Sequence, residues 1–289
     1  MKFNKQDKIL TSNKAYDNFE FIHSSDGRIM RIMAEYIYPE QYLKRRNVKG
    51  AIVFYGSART LSRDHYDAKM KLLQTELKQQ SLYQSKQEIK NKILALEKIE
   101  DITNYYEEAV ELSKMLAEWL AKNPSTKNYF ITSGGGPGMM EAANLGSYLA
   151  QRDNIGFNIS LPFEQKPNKF ITPELNFEFH YFFMRKFWFV YLAKAIVTLP
   201  GGFGTLDELM EILTLRQTAK VTKPLPIVLY GESFWKKLID IDLLVEKGMI
   251  EEKDLKLFKY CNTPQEAFDY ITTELEKTFT RKDTHLSLK

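Results

Sequence analysis

Cysteine is almost absent from this sequence: Cys261 is the only one among 289 residues, which excludes an internal disulfide and fits a reducing compartment. Apolar runs are short, and none approaches the roughly 20 residues that a membrane-spanning helix needs. The first ten residues, MKFNKQDKIL, lack the apolar stretch of a secretory signal. These absences predict a cytoplasmic protein with no membrane partner.

Two further absences concern metals and nucleic acid. The histidines show no metal-ligand spacing with the cysteine or with one another; they are His23, His65, His180 and His285. We therefore expect no metal site. Lysine and arginine (41 together) are interspersed with aspartate and glutamate (37 together), so the net charge of +4 indicates a mixed, solvated surface. A nucleic-acid partner is not expected.

What the sequence does contain is two glycine-rich turns, SGGGPGMMEAAN at residues 133–144 and PGGFGTLDE at residues 200–208. Each turn follows a short apolar run, at 129–132 and 195–199, and opens a helix with periodic apolar residues. A strand, a glycine turn and a helix start together form an anion site, because free amide groups and the helix dipole meet there. Two such turns in one chain favour a phosphorylated small molecule held between them.

Other phosphate motifs are excluded by their spacing. The dinucleotide fingerprint G-x-G-x-x-G fits Gly134 and Gly136 but ends at Met139. A P-loop requires Gly-Lys-Ser/Thr after four spacer residues, which neither turn contains. A ligand shorter than a dinucleotide, with one phosphate, is therefore favoured.

Predicted strands and helices alternate along the chain. Strands are predicted at residues 51–55, 129–132, 155–161, 195–199 and 226–230, with a further strand at 178–182. Helices are predicted at residues 105–121, 139–151, 184–194, 205–218 and 233–247. This order is typical of an α/β fold with a doubly wound parallel sheet and helices on both faces. Ligands of such sheets bind beyond the carboxyl ends of the strands, where both glycine turns and Gly56 are expected.

Two segments add to this α/β core, and we expect one domain over residues 1–289. Residues 1–47 form a polar N-terminal extension with an amphipathic stretch at 28–38. Residues 64–104 form a helical insertion, since segment 68–96 is rich in Lys, Gln and Glu, lacks Pro and Gly, and has apolar residues at helical spacing. We expect the insertion to project from the core, as one helix or a hairpin, and to serve packing or oligomerisation rather than nucleic-acid binding.

Five motifs follow one another in a specific order: YGSAR (55–59), GGGPGMMEAAN (134–144), NISLPFEQ (158–165), FFMRK (182–186) and PGGFGTLDE (200–208). This set resembles the LONELY GUY (LOG) family of nucleotide 5′-monophosphate phosphoribohydrolases, formerly labelled lysine decarboxylases, and is similar to its bacterial branch. The resemblance implies a Rossmann-like fold, no cofactor, and a homodimer or larger homo-oligomer. No lysine lies in an evident pyridoxal-phosphate context, so the decarboxylase label gains no support.

The activity that the resemblance implies is that of an N-glycosidase. Family members hydrolyse a nucleoside 5′-monophosphate to free base and ribose 5-phosphate; the substrates are cytokinin ribotides in plants and AMP or other nucleotides in bacterial relatives. The alternative is a non-catalytic nucleotide or molybdenum-cofactor carrier, because such carriers share the glycine turns. A third reading is a scaffold that binds partners through the insertion. The presence of both Arg185 and Glu208 favours the enzyme, since a carrier needs the phosphate cradle but not that pair.

The resemblance implies that Arg185 and Glu208 are the catalytic residues. Spacing alone favours a different role for Glu208, because Thr205-x-x-Glu208 matches a capping box. Arg185 and Lys186 lie at the start of a predicted helix. The alternative to a role in the site is that both side chains are simply solvated. Arg185 either pairs with Glu208 or contacts the departing base or the sugar.

The remaining predicted contacts surround the nucleotide. Those expected around the 5′-phosphate are Gly134, Gly135, Gly136, Gly138, Gly201, Gly202, Gly204 and Thr205. Further predicted substrate contacts are Gly56, Ser57, Arg59, Met139, Glu141 and Lys186. Arg59 would help neutralise the phosphate, Met139 has core packing as an equal alternative, and Glu141 could instead complement the helix dipole. The loop with Asn158, Pro162, Glu164 and Gln165 is expected to shape the base pocket.

Overall fold

Seven parallel strands form one sheet in the order β4-β3-β2-β1-β5-β6-β7. The computed structural model describes residues 14–162 and 166–279. The strands are β1 (Gly50–Tyr55), β2 (Tyr129–Ser133), β3 (Asn154–Ile159), β4 (Asn176–Phe179), β5 (Ala193–Thr198), β6 (Ile227–Tyr230) and β7 (Lys259–Cys261). The predicted α/β fold with a Rossmann-like, doubly wound parallel sheet is confirmed.

Helices cover both faces of this sheet. They are α1 (Phe19–His23), α2 (Arg28–Arg45), α3 (Arg63–Gln79), α4 (Tyr83–Glu97), α5 (Thr103–Lys122), α6 (Met139–Leu149), α7 (Phe182–Leu192), α8 (Phe203–Gln217), α9 (Glu232–Leu238), α10 (Ile241–Glu246) and α11 (Pro264–Phe279). Short 3₁₀ turns lie at Ala15–Asp17, Pro173–Leu175 and Glu252–Leu257. None of the helices within the described ranges is long and apolar enough to cross a membrane.

Strand β1 shows why the sheet is buried on both sides. All six of its residues are buried, as is usual for a parallel strand covered by two helical layers. Successive side chains alternate between the faces. Ile52 and Phe54 join the core beneath α5, α6 and α11, while Val53 and Tyr55 join the core beneath α2, α7 and α8. Cys261, in β7, is also buried and free.

The direction of winding reverses at β1. The chain passes from β1 outward to β2, β3 and β4, and then returns to the other side of β1 as β5. The carboxyl ends of β1 and β5 therefore flank the crevice at which doubly wound sheets bind ligands.

Several element boundaries differ from the prediction. The helix predicted at 233–247 is two helices, because Asp240 accepts a hydrogen bond from Leu243 N and caps a new helix there. The extra strand predicted at 178–182 lies slightly earlier, as β4, and Phe182 already belongs to α7. The short edge strand β7 and helix α11 were not predicted.

The segments outside the α/β alternation are helical. Within the predicted insertion, α3 and α4 pack on each other around a small separate core of Tyr66, Leu73, Ile89 and Leu96. In the N-terminal extension, α2 packs against α7. The extension is therefore not simply polar, because Leu43 of α2 joins the main core and Pro39 is also buried.

Candidate functional site

Three glycine turns meet at the carboxyl edge of the sheet. They follow β1 at Gly56, β2 at residues 134–138 and β5 at residues 201–204. The amide of Ser57 donates to Pro200 O at 3.1 Å, and Met139 N donates to Ser57 O at 2.9 Å. The loop after β1 thus joins the other two turns, so that all three form one surface.

The turn after β2 requires glycine at two positions. Gly135 and Gly138 have φ values of +72° and +70°, which L side chains rarely adopt. A Cβ at Gly138 would also collide with the carbonyl oxygen of Ser57. The backbone of this turn therefore approaches the loop after β1 more closely than any other residue would allow.

A buried asparagine binds the turn after β2 on its buried side. The side-chain amide of Asn168 donates to Gly135 O at 3.0 Å, to Gly136 O at 3.1 Å and to Asn144 Oδ1 at 2.9 Å. Asn144 also accepts from Ser133 Oγ at 2.6 Å. Since these carbonyl groups are engaged on the buried side, the network fixes the shape of the turn.

The turn after β5 leads directly into α8. Gly202 is the N-cap of this helix, in an extended conformation, and Phe203 is its first residue. The amides of the first turn, which includes Gly204 and Thr205, have no acceptor four residues earlier and face the helix entrance. The helix starts before Thr205, so Thr205 is not the N-cap and the predicted capping box with Glu208 is wrong.

Glu208 instead forms a buried ion pair with Arg185. Arg185 Nη2 donates to Glu208 Oε1 at 2.8 Å, and the two side chains are only 10% and 11% exposed. The guanidinium carbon of Arg185 lies 5.4 Å and 5.6 Å from the ring centres of Phe182 and Phe189. These rings and the carboxylate fix the guanidinium, while its buried Nε has no partner among the described residues.

This ion pair borders the glycine turns. A methyl group placed on Gly134 would lie 3.8 Å from Arg185 Nη1, which brings the guanidinium beside the turn after β2. Glu208 lies on α8, whose first turn follows the glycines after β5. The sheet edge therefore places a cation and a carboxylate between two helix entrances.

Burial changes the ionisation of the carboxyl group. It raises the pKa of Glu208 to about 7, against the opposing attraction of Arg185, and the nearby Asp207 and Glu211 add to the rise. The hydroxyl of Tyr55 is held in its neutral form, since burial and the neighbouring Glu208 raise its pKa. Glu208 can therefore take up and release a proton near neutral pH.

Lys186 lies beside this pair but faces other carboxylates. Its Nζ is 2.7 Å from Asp207 Oδ1 and 3.3 Å from Glu211 Oε2. Burial opposes its charge, yet Asp207 and Glu211 outweigh this effect and raise the pKa of Lys186. Lys186 thus connects α7 to α8, next to the connection made by Arg185.

Other predicted contacts lie around this surface. Arg59 is exposed, and its amide donates to Ser57 Oγ at 3.0 Å. The side chain of Met139 is fully buried beneath Gly56, so the packing alternative describes it. Glu141 accepts a hydrogen bond from Tyr106 Oη at 3.0 Å.

The loop predicted to shape the base pocket is only partly described. Asn158 is buried, and its side-chain amide donates to Asn176 Oδ1 at 2.6 Å and to Phe177 O at 3.1 Å. Pro162 ends the first described range, and Glu164 and Gln165 lie outside the described residues. The asparagine of this motif is therefore engaged with β4.

Sequence reasoning missed the polar residues behind the glycines. Asn168 follows Pro167 in an irregular segment, where no periodicity indicates burial. Asn144 ends the quoted GGGPGMMEAAN motif, and an asparagine in the middle of an apolar helix was the one available signal. Among the described residues there is no group of three or more His, Cys, Asp or Glu side chains that could hold a metal ion.

Comparison with known proteins was consistent with the motifs. Residues 140–271 match the family described as "Possible lysine decarboxylase". The chain is 28% identical over 179 residues to a probable cytokinin riboside 5′-monophosphate phosphoribohydrolase of rice, Oryza sativa subsp. japonica, covering 58% of this chain and 76% of the relative. It is 34% identical over 74 residues to another rice cytokinin riboside 5′-monophosphate phosphoribohydrolase, covering 26% of this chain and 31% of that relative. These matches confirm the resemblance predicted from the motifs.

The matches among solved structures are more distant. A molybdenum-cofactor carrier protein from Chlamydomonas reinhardtii aligns with a TM-score of 0.44 at 16% identity, covering 79% of this chain and 99% of that protein. A molybdenum-cofactor binding protein from Rippkaea orientalis aligns with a TM-score of 0.39 at 17% identity, covering 57% of this chain and 87% of that protein.

Proposed function

We propose, because its motifs and its sequence matches resemble the LONELY GUY family, that the chain hydrolyses the N-glycosidic bond of a nucleoside 5′-monophosphate, with AMP as the first candidate. The observation that carries this proposal is the buried ion pair of Arg185 and Glu208 between two glycine turns. A carrier needs a phosphate cradle, but it has no use for a buried carboxyl group that titrates near neutral pH.

The phosphate would be held by the two helix entrances. The amides of Met140 and Glu141 in α6, the first-turn amides of α8 and the hydroxyl of Thr205 are the donors offered to its oxygens. Both helices direct the positive ends of their dipoles to the same edge of the sheet. Anchoring the phosphate there leaves the ribose to extend toward Arg185 and Glu208.

Cleavage of the N-glycosidic bond is favoured by a carboxylate close to C1′. As the bond between C1′ and the base nitrogen breaks, its electron pair leaves with the base and positive charge develops on the sugar. The Glu208 carboxylate stabilises that charge and accepts the proton of the water whose oxygen bonds to C1′; this proton then passes to the nitrogen of the departed base, which restores the carboxylate. Arg185 orients the carboxylate, and its unpartnered Nε is available to a sugar hydroxyl or to the departing base.

The test is incubation with a panel of nucleoside 5′-monophosphates, with chromatography to detect free base and ribose 5-phosphate. We expect release of base from a monophosphate, much slower release from the matching nucleoside, and no loss of activity in EDTA. Equal turnover of nucleoside and monophosphate would contradict phosphate anchoring. Activity abolished by EDTA and restored by a divalent ion would contradict the metal-free mechanism.

The same panel separates the enzyme from the carrier alternative. A carrier would bind a nucleotide, as measured by calorimetry, without releasing base over long incubation. A homodimer or larger homo-oligomer and a cytoplasmic location stay predictions from the sequence.

A further inference from the structure

Glu35, in helix α2 of the N-terminal extension, contacts helix α7 at two positions, at its start and near its middle. Its carboxylate accepts hydrogen bonds from the amides of His180 at 2.8 Å and Tyr181 at 3.3 Å, just before α7 begins. Its main-chain carbonyl accepts from Trp188 Nε1 at 3.0 Å, about two turns further along α7. One residue of α2 thus fixes both the start and the middle of the helix that carries Arg185.

The connection from Glu35 to the ion pair is short. Tyr181, which is the N-cap of α7, donates its amide to Glu35 and accepts at its carbonyl the amide of Arg185 at 3.2 Å. Arg185 then donates to Glu208 at 2.8 Å. A single residue, Tyr181, therefore separates Glu35 from the Arg185 backbone.

Electrostatics and packing both favour this arrangement. Tyr181 has no cap from its own side chain, so the carboxylate of Glu35 supplies the acceptors and the negative charge that a helix start favours. The ring of Tyr36 lies 5.6 Å from the rings of both Phe187 and Trp188. These contacts hold α2 against α7 on the side away from the sheet.

The sequence pattern of α2 places Glu35 on its packed side. Ile32, Glu35, Pro39 and Leu43 follow one another at spacings of three or four residues, which puts them on one face of a helix. Leu43 belongs to the core of that side of the sheet, Ile32 packs against this core, and Pro39 is buried. A carboxylate within an otherwise apolar face is costly unless it is hydrogen-bonded, and the two amides before α7 supply those bonds.

We propose that Glu35 is a positioning residue, which sets the start of α7 and thereby the place of Arg185 against Glu208. The family match begins only at residue 140, so it does not include this helix. The role of Glu35 in turnover rests on the proposed function, whereas its effect on the ion pair does not.

The test compares Glu35→Ala and Glu35→Asp with the control Glu40→Gln. Glu40 lies on the same helix but pairs with Lys44 at 2.9 Å, not with the amides that precede α7. We expect Glu35→Ala to lower kcat by about tenfold to a hundredfold, because misplaced catalytic groups have effects of that size, with little change in KM. Glu35→Asp should recover part of the loss, and Glu40→Gln should behave as wild type.

A second readout does not need turnover. The charged groups that face Glu208 are Arg185 and Lys186, which lower its pKa, and Asp207 and Glu211, which raise it; the neutral hydroxyl of Tyr55 also lies nearby. If Arg185 is less firmly held, its attraction weakens, and carboxyl NMR titration should show a higher pKa for Glu208 in Glu35→Ala but not in Glu40→Gln. A lower melting temperature with unchanged Glu208 titration and unchanged kcat would overturn the proposal. If no nucleotide is turned over by the wild type, the proposed function fails and the titration alone decides the role of Glu35.

Discussion

Glu208 is an unusual carboxyl group because it is buried beside an arginine and still has a raised pKa. The attraction of Arg185 acts on one oxygen at 2.8 Å, whereas burial removes water from the whole group. Asp207 and Glu211 add like charge nearby. A carboxyl group in this balance is suited to exchange a proton during a reaction at neutral pH.

Glu208→Gln should abolish turnover while sparing nucleotide binding. Glutamine keeps the size and one acceptor for Arg185, but it supplies neither the negative charge for C1′ nor a base, so kcat should fall by roughly 10²–10³-fold or more. Base release and calorimetric binding, measured on one preparation, check this expectation. Asp207→Asn, at the adjacent and more exposed carboxylate, is the control and should keep most of its activity at pH 8. Near-normal kcat in Glu208→Gln would end the catalytic assignment.

The pH profile gives a second prediction for the same residue. If the ionised form is active, kcat/KM should rise with pH through an apparent pKa near 7. Lys186→Met removes a charge that lowers the pKa of Glu208 and should move this limb to higher pH, whereas Asp207→Asn should move it to lower pH. Profiles of the three proteins check the signs, and a limb that stays in place in both variants would assign the titration to another group.

The same raised pKa has a consequence for stability. The folded protein holds the Glu208 proton more tightly than an unfolded chain, in which the ordinary value is 4.5. Its contribution to the free energy of unfolding is therefore full below about pH 4.5 and is lost as pH rises through about 7. The melting temperature of Glu208→Gln should fall less over that interval than that of the wild type, and parallel pH dependences would show that Glu208 titrates normally.

At the scale of elements, the turn between β2 and α6 depends on Asn168. Removing its side chain in Asn168→Ala leaves buried oxygens of Gly136 and Asn144 without this donor, which should destabilise the fold by about 1–3 kcal/mol. The looser turn should also raise KM for the monophosphate more than it changes kcat. Denaturant unfolding and steady-state kinetics check both effects. Asn91→Ala, at an exposed position of α4, is the matched control, and an unchanged KM in Asn168→Ala would separate the turn from phosphate binding.

Elements with strong local patterns were the ones that the sequence predicted. The apolar run before each glycine turn specifies a buried strand, so β1, β2, β5 and β6 lie within a residue or two of their predicted positions. The three-residue strand β7 has no such run, since it depends on pairing with β6. The break between α9 and α10 depends on the cap at Asp240, which a periodic apolar pattern does not reveal.

The two central residues of the candidate site could be predicted from the sequence, but the residues that hold them in place could not. The family resemblance implied Arg185 and Glu208, the structure places them in contact, and parallel topology explains why residues from two different helices meet. The capping box at Thr205 was wrong because a glycine, Gly202, takes the cap position and starts α8 earlier. Glu35 and Asn168 act through contacts distant in sequence, and no local pattern indicates such contacts.

At the scale of the whole molecule, the aromatic-rich segment 182–191 leaves less apolar surface for an interface than its composition suggests. In the aromatic segment 182–191, Trp188 and Phe189 are buried in the core, because α7 lies between the sheet and α2. Phe182 and Phe183 stay exposed at the start of that helix. The main-core contacts therefore use most of the aromatic surface that the sequence offered for an interface.

Helix α2 carries an exposed row of apolar side chains, which is an alternative surface for an interface. Ile29, Met33 and Ile37 follow one another at four-residue spacing, on a side of α2 next to the packed face, and Ile29 and Met33 are 70% and 55% exposed. Contiguous apolar patches on a protein surface usually mark interfaces. We therefore expect a homodimer or larger assembly that uses this row of α2.

Light scattering at micromolar concentration should give a mass of at least two chains for the wild type. The double variant Ile29→Glu/Met33→Glu places two charges on the row, and burying them in an interface would be costly, so its mass should fall to that of one chain. Leu94→Glu, at an exposed position of α4, tests the insertion instead and should leave the assembly intact. A monomeric wild type would refute assembly altogether. If Leu94→Glu dissociates the assembly and the double variant does not, the interface lies on the insertion and not on α2. Because Ile29 and Met33 lie away from the face that carries Glu35, the double variant should keep the pKa of Glu208 unless assembly itself supports α7.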